Sequence, residues 1–201
     1  ALPIYYEISF MIVFIVLVTL LILYIVYENH TRNKELLKYA QTDALTGLYN
    51  KETTEQLTDE LLSEDENKYH AFLILDVDCF KQINDIYGHA VGDIVLQKFG
   101  KLLKGTFREG DILGRIGGDE FGVIMKNIQT KDIAMKKAEE LLAKTQAYKI
   151  DELKGNNISI SIGISTAPQD GDCYMDLYKR ADQALYQAKR SGKARVCNYF
   201  S

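Results

Sequence analysis

The segment RIGGDEFGVI, Arg115 to Ile124, sets Gly117, Gly118, Asp119 and Glu120 between Ile112, Leu113 and Ile116 on one side and Phe121, Val123 and Met125 on the other. The pattern is strand, turn, strand. Glycine takes the positive-φ conformations of tight hairpins and, having no Cβ, lets a ligand approach the backbone. A plain Gly-Gly hairpin with solvated acids has the same pattern, so other acids must decide. The stretch AFLILDVDCF runs apolar and then delivers Asp76 and Asp78, with Val77 between them. Carboxylates ending a buried strand beside an acidic turn make a hard-oxygen site that suits Mg²⁺. There a metal lowers the pKa of an attacking hydroxyl and clamps the oxygens of an in-line displacement, the chemistry of palm-type nucleotidyl transfer.

Between the two acidic groups lies FKQINDIYGHAVGD. Lys81 offers a point charge for phosphate. Asn84 and Asp93 are short polar residues able to read a purine edge. A carboxylate accepts from guanine N1–H and N2–H and meets no such pair on adenine, which favours guanine. Ordinary helix caps remain the alternative for both residues.

These residues need a core to hold them. With 201 residues and 47% hydrophobic content, the chain suffices for one catalytic-sized domain and an appendage. A net charge of -4 does not suggest the broad electrostatic footprint of a binder of extended nucleic acid, and none is expected as a partner. Cys79, Cys173 and Cys197 share no metal-ligand spacing and His30, His70 and His89 are scattered, so neither a disulfide framework nor a zinc site is expected. The composition suits a reducing, cytosolic compartment.

The appendage is N-terminal. Ile8 to Tyr27 carries no charged residue, and a helix of about twenty residues crosses a bilayer core of about 30 Å. Tyr5, Tyr6, Tyr24 and Tyr27 fall near its ends, where amphipathic rings favour the interface. Arg32, Lys34 and Lys38 follow it and only Glu7 closely precedes it, which puts the C-terminal side in the cytoplasm. Residues 1–27 are thus expected to form a transmembrane helix and 28–41 a helical stalk, with residues 42–201 as the catalytic domain. The opening Ala1, in place of Met, suggests an upstream portion.

Within that domain the patterning predicts helices over 51–63, 92–106, 131–147 and 174–191. Strands are predicted over 71–77, 157–165 and 195–199, with the hairpin between the second and third helices. The order β, α, hairpin, α, β is that of an α+β, ferredoxin-like or palm-type core, an antiparallel sheet with helices on one face. The end of the first strand and the tip of the hairpin then lie side by side.

From Thr42 to its end the sequence resembles the GGDEF domains, the diguanylate cyclases. The signature stands at Gly117 to Phe121. DALTGLYNK at Asp43 to Lys51 resembles the opening motif of the family, DVDCFKQINDIYGHAVGD at Asp76 to Asp93 its metal and guanine segment, and ALYQAKRSGK at Ala184 to Lys193 its C-terminal phosphate-contact helix. The resemblance implies Mg²⁺ or Mn²⁺ held by Asp76, Asp119 and the carbonyl of Val77. Glu120 would assist the metal or the proton transfer, and Asp119 and Glu120 would be the catalytic acids. It implies guanine reading by Asn84 and Asp93. The GTP phosphates would be held by Lys81, Lys189, Lys193 and the N–H groups of Cys79 and Phe80, and approached by the backbone of Gly117 and Gly118. The family more often has Arg at position 193 and Asn at 194, where this chain has Lys and Ala.

A product made of two GMP units joined by two identical linkages requires two domains meeting with twofold symmetry, a homodimer. Arg108 and Asp111, an R-x-x-D just upstream of the hairpin, resemble the family's inhibitory cyclic di-GMP site, although an exposed turn has the same pattern. The implied whole is a product-inhibited diguanylate cyclase in a bacterial cell (inner) membrane, its catalytic domain cytoplasmic. The alternative is a catalytically silent domain that binds GTP or cyclic di-GMP and relays a signal.

Overall fold

The computed structural model describes residues 4–64 and 68–199. The chain divides into two compact units, 1–40 and 41–201. In the first, a single helix α1 spans Ile4–Gln41. Its stretch Met11–Asn29 is the one part of the described residues long and apolar enough to cross a membrane. The side chains of Tyr5, Tyr6, Arg32, Lys34 and Lys38 lie outside the described residues.

The second unit is built on a five-stranded sheet in the order β2-β3-β1-β4-β5. The strands are β1 (His70–Val77), β2 (Ile112–Arg115), β3 (Glu120–Met125), β4 (Ile160–Ala167) and β5 (Val196–Asn198). Around them lie α2 (Lys51–Glu64), α3 (Phe80–Tyr87), α4 (His89–Thr106), α5 (Lys131–Ala147) and α6 (Tyr174–Arg190). Central β1 is buried along its whole length, which is why it reads as an unbroken apolar run before its acids. It pairs antiparallel with both β3 and β4, while β5 joins β4 in parallel, so the sheet is mixed.

The expectation of helices on one face is corrected: both faces are covered. Leu73, Leu75 and Val77 pack with Phe99 and Leu103 of α4 and Leu141 of α5. Phe72 and Ile74, pointing the other way by the alternation of the strand, pack with Leu177, Ala181 and Leu185 of α6 and Leu62 of α2. A Cβ at Gly163 of β4 would stand 2.1 Å from the Ala181 carbonyl oxygen. A glycine there lets α6 lie directly on the sheet.

Two further boundaries differ from expectation. The predicted helix from Gly92 begins at His89 and is preceded by α3, the two separated by Gly88 at φ 85. The strand expected over 157–165 lies at Ile160–Ala167. By contrast, α5 occupies the predicted range, with Asp132 in its first turn and Lys144 in its last, complementary to the helix dipole.

Candidate functional site

Register brings the acids together. Asp76 on β1 stands directly opposite Glu120 on β3 and Ser161 on β4. Residues paired in this way share a sheet face. The turn before Glu120 is tied back to the strand end, for the Val77 N–H donates to the Asp119 carbonyl at 3.2 Å. Phe121 fixes the turn from behind, its ring edge-on to Phe99 of α4 with centroids 4.9 Å apart. Asp76 is only 7% exposed. Burial pushes its carboxyl above the ordinary value, the Lys189 ammonium opposes that rise, and the nearby Asp119 and Glu120 add to it. Lys189, brought by α6, lies 2.7 Å from Asp76 Oδ2.

The two glycines of the turn do not adopt the conformation expected of them. Neither has a positive φ. A Cβ at Gly117 would stand 2.7 Å from Glu120 Oε2, so this glycine makes room for the carboxylate, whereas a Cβ at Gly118 would meet open space. The arginine before them closes the turn: Arg115 Nη2 donates to the Gly118 carbonyl at 2.7 Å, and Nη1 lies 3.2 Å from Asp43 Oδ2. Neither Arg115 nor Asp43 was singled out for the site from sequence. Asp43 does stand in the motif DALTGLYNK, but nothing local in that motif reveals its partner.

Beyond β1 the chain turns sharply at Cys79, which is left-handed at φ 58, and enters α3. The first N–H groups of a helix have no intrahelical acceptor, so Cys79, Phe80 and Lys81 bring donors and a cation to the strand end. Lys193 Nζ reaches 3.1 Å from Cys79 Sγ from the loop after α6. Asn84 lies midway along α3 and Asp93 in α4, the latter exposed. Neither caps a helix, since the capping positions are Cys79 and Gly88. Asn84 Oδ1 is buried without a hydrogen-bond partner. It sits where a Cβ on Gly92 would be, 1.9 Å away, so this glycine seats Asn84 against the turn of α4 that carries Asp93.

Arg108 and Asp111 stand apart from this constellation, at the start of the hairpin. The Asp111 carboxylate accepts from Arg108 Nε at 3.0 Å and from the Lys126 N–H at 3.1 Å. The Arg108 guanidinium also donates to the Lys126 carbonyl. The Arg108 side chain is 59% exposed and that of Asp111 only 3%. Arg108 therefore presents the outward face of the pair. Both residues line a cavity of about 490 Å³ with Phe107, Met125, Asn127 and Lys137.

The arrangement can hold a hard cation, a phosphate chain and a hydrogen-bonding ring beside one strand end. Known proteins of similar sequence and shape carry the same frame. The chain is 37% identical over 170 residues to Diguanylate cyclase A of Treponema denticola, covering 82% of this chain and 46% of that protein. The chain thus spans about half the length of the curated relatives it matches. A truncated TpbB from Pseudomonas aeruginosa comprising only the GGDEF domain is 33% identical with TM-score 0.75, over 79% of this chain and 94% of that one. The coiled coil and GGDEF domain of DgcB from Caulobacter crescentus, in complex with c-di-GMP, is 26% identical with TM-score 0.79, over 86% of this chain and 93% of that one. Since residues 40–195 match the family described as "Diguanylate cyclase, GGDEF domain", this chain belongs to the GGDEF family.

Proposed function

We propose that this protein is a diguanylate cyclase, condensing two GTP into cyclic di-GMP with release of two diphosphates. The observation that carries the reading is the register setting Asp76 opposite Glu120 while the Asp119 carbonyl is tied to Val77. The carboxylates of Asp76, Asp119 and Glu120, with the Val77 carbonyl, would supply hard-oxygen ligands of the kind that suits Mg²⁺ or Mn²⁺. Such a cation supplies a lowered hydroxyl pKa and neutralised phosphate charge.

The residues of the chain do the rest. Lys81, Lys193 and the N–H groups of Cys79 and Phe80 hold the triphosphate, and Gly117 and Gly118 let it lie against the turn. Lys189, paired with Asp76 at 2.7 Å, spans the acids and the phosphates. Asn84 and Asp93 read guanine. Glu120 stands ready to accept the proton of the attacking 3′-hydroxyl or to help hold the cation. One GTP per domain makes only half of a ring with two identical linkages, so the working unit is a homodimer whose two sites face each other. Helix α1 anchors it in the bacterial cell membrane with the catalytic domain in the cytoplasm. Arg108, oriented by Asp111, takes the product as an inhibitor, and the c-di-GMP complex of the DgcB domain supports an affinity of this fold for that product.

The test is incubation of the purified full chain with GTP and MgCl₂, with the nucleotides resolved by chromatography. Cyclic di-GMP should accumulate, and Asp119→Asn should abolish it with the fold kept. GTP that binds but is never converted would replace this reading with the silent binding domain.

A further inference from the structure

Asp78 stands two residues beyond Asp76 at the end of β1, yet its carboxylate has a different set of partners. It is 8% exposed. Oδ1 accepts the Ser161 hydroxyl at 2.7 Å, while Oδ2 accepts the Ala194 backbone N–H at 3.1 Å and the Ser159 hydroxyl. These donors satisfy a charge that burial would otherwise penalise. The bond to Ala194 reaches furthest along the chain, because it ties the strand end to the loop that follows α6. In that loop Lys193 and Ala194 are both left-handed, at φ 59 and 49. Residues with a Cβ adopt this conformation at a cost, and two in succession persist only where their surroundings over-determine them.

Here the surroundings are identifiable. The Lys193 N–H donates to the Ala188 carbonyl at 3.1 Å, the Arg195 carbonyl accepts from Ile162 at 2.9 Å, and Asp78 holds the residue between them. From this turn the Lys193 side chain runs to Cys79 at the start of α3.

We propose that Asp78 is a positioning residue for the triphosphate: through the Ala194 N–H it holds the left-handed turn that aims Lys193 at the start of α3. Asp78 sets phosphate affinity in this way without touching phosphate. The inference rests on the assignment of Lys193 to the triphosphate. It also reverses a sign. A buried negative charge near a polyanion, acting through its charge alone, weakens binding, so its removal would tighten it. Acting as an anchor, Asp78 strengthens binding, and its removal lets Lys193 leave.

The test is binding of 3′-deoxy-GTP, which lacks the attacking hydroxyl, and of GMP, which lacks the outer phosphates, to the full chain by calorimetry. Asp78→Ala should weaken 3′-deoxy-GTP by about fivefold or more while GMP stays within about twofold. Asp78→Asn, whose side-chain oxygen can still accept from Ala194, should bind 3′-deoxy-GTP as well as the wild type or better. Lys193→Ala should weaken it too, and Asp78→Ala added to that variant should cost less than about twofold more. Unchanged or tighter binding in Asp78→Ala, an equal loss for GMP, or full additivity with Lys193→Ala would overturn the inference while leaving the triphosphate reading in place. Wild-type binding by Lys193→Ala would overturn both. Should Asp78→Ala not fold, Asp78→Glu, which moves the acceptor by one methylene, carries the same expectations and fails on the same results.

Discussion

Arg115 and Asp43 form an ion pair of 3.2 Å across 72 residues of sequence, and the same guanidinium holds the carbonyl of Gly118. The first residue of the catalytic domain's opening motif is thereby joined to the acidic turn.

The pair has a pH signature. Burial would raise the Asp43 carboxyl, but the hydroxyl and N–H of Thr46 and the Arg115 guanidinium together hold it below the ordinary 3.8. A carboxyl depressed on folding adds stability that is complete well above 3.8 and is lost as pH falls through the lower folded-state value. Asp43→Asn lacks that contribution. Denaturant unfolding of the two proteins should therefore differ most near neutrality, with the gap closing below pH 3.8. A gap independent of pH would mean that Asp43 acts through its hydrogen bonds alone.

Gly117 and Gly118 should respond differently to alanine. At Gly117 the new methyl meets Glu120, its Oε2 at 2.7 Å and its Cβ at 3.1 Å; the carboxylate can swing aside and the Cβ need give only a few tenths of an ångström, so the fold survives with the carboxylate displaced. Gly117→Ala should lower kcat by roughly tenfold or more, as misplacing a catalytic group by an ångström does. At Gly118 the methyl enters open space and disturbs nothing in the free protein. Gly118→Ala should keep its Tm and raise the KM for GTP if the phosphates lie against that turn. Steady-state kinetics with melting curves separate the two cases.

Much of this was legible in the sequence, for identifiable reasons. The acids of β1 and the hairpin break otherwise apolar runs, and α5 carries its periodicity and terminal charges over its full length. Helix α3 escaped notice because eight residues give periodicity little room, and Gly88 and Gly92 hid the start of α4. The second helical layer was legible too, because the apolar run of β1 lacks the alternation of a strand covered on one face only. The turn glycines do not adopt the conformation that a Gly-Gly pattern suggests; Gly117 makes room for the side chain of Glu120, three residues on. Least legible were the bonds from Asp78 to Ala194 and from Asp43 to Arg115, between residues 116 and 72 apart, which no local pattern encodes.

Ala194 offers a route to greater stability. At φ 49 it occupies a conformation that disfavours alanine and that asparagine tolerates far better. Ala194→Asn keeps the backbone N–H that Asp78 accepts, so it should stabilise the domain by roughly 0.5–1 kcal/mol. A denaturant midpoint that rises with an unchanged m-value would bear this out. A fall would show that the asparagine side chain has no room beside Asp78.

The acids themselves lead to a prediction that needs no nucleotide. Asp119 and Glu120 lie near enough to Asp76 to raise its carboxyl, and Lys189 at 2.7 Å from Asp76 is the one cation whose ion pair with these acids is resolved among the described residues. A divalent ion bound there stabilises the native state by mass action, by about 2.7 kcal/mol at a hundredfold excess over its dissociation constant. Adding Mg²⁺ or Mn²⁺ should therefore raise the Tm of the wild type in a concentration-dependent way. Asp76→Asn keeps the shape of the side chain but removes a charged ligand, and should flatten that response. Lys189→Ala should leave the response in place or steepen it, because the ion no longer competes with an ammonium for the carboxylate of Asp76. Equal shifts in the wild type and Asp76→Asn would place the cation elsewhere, and a response lost in Lys189→Ala would mean that the lysine orients Asp76 and does not merely compete for it.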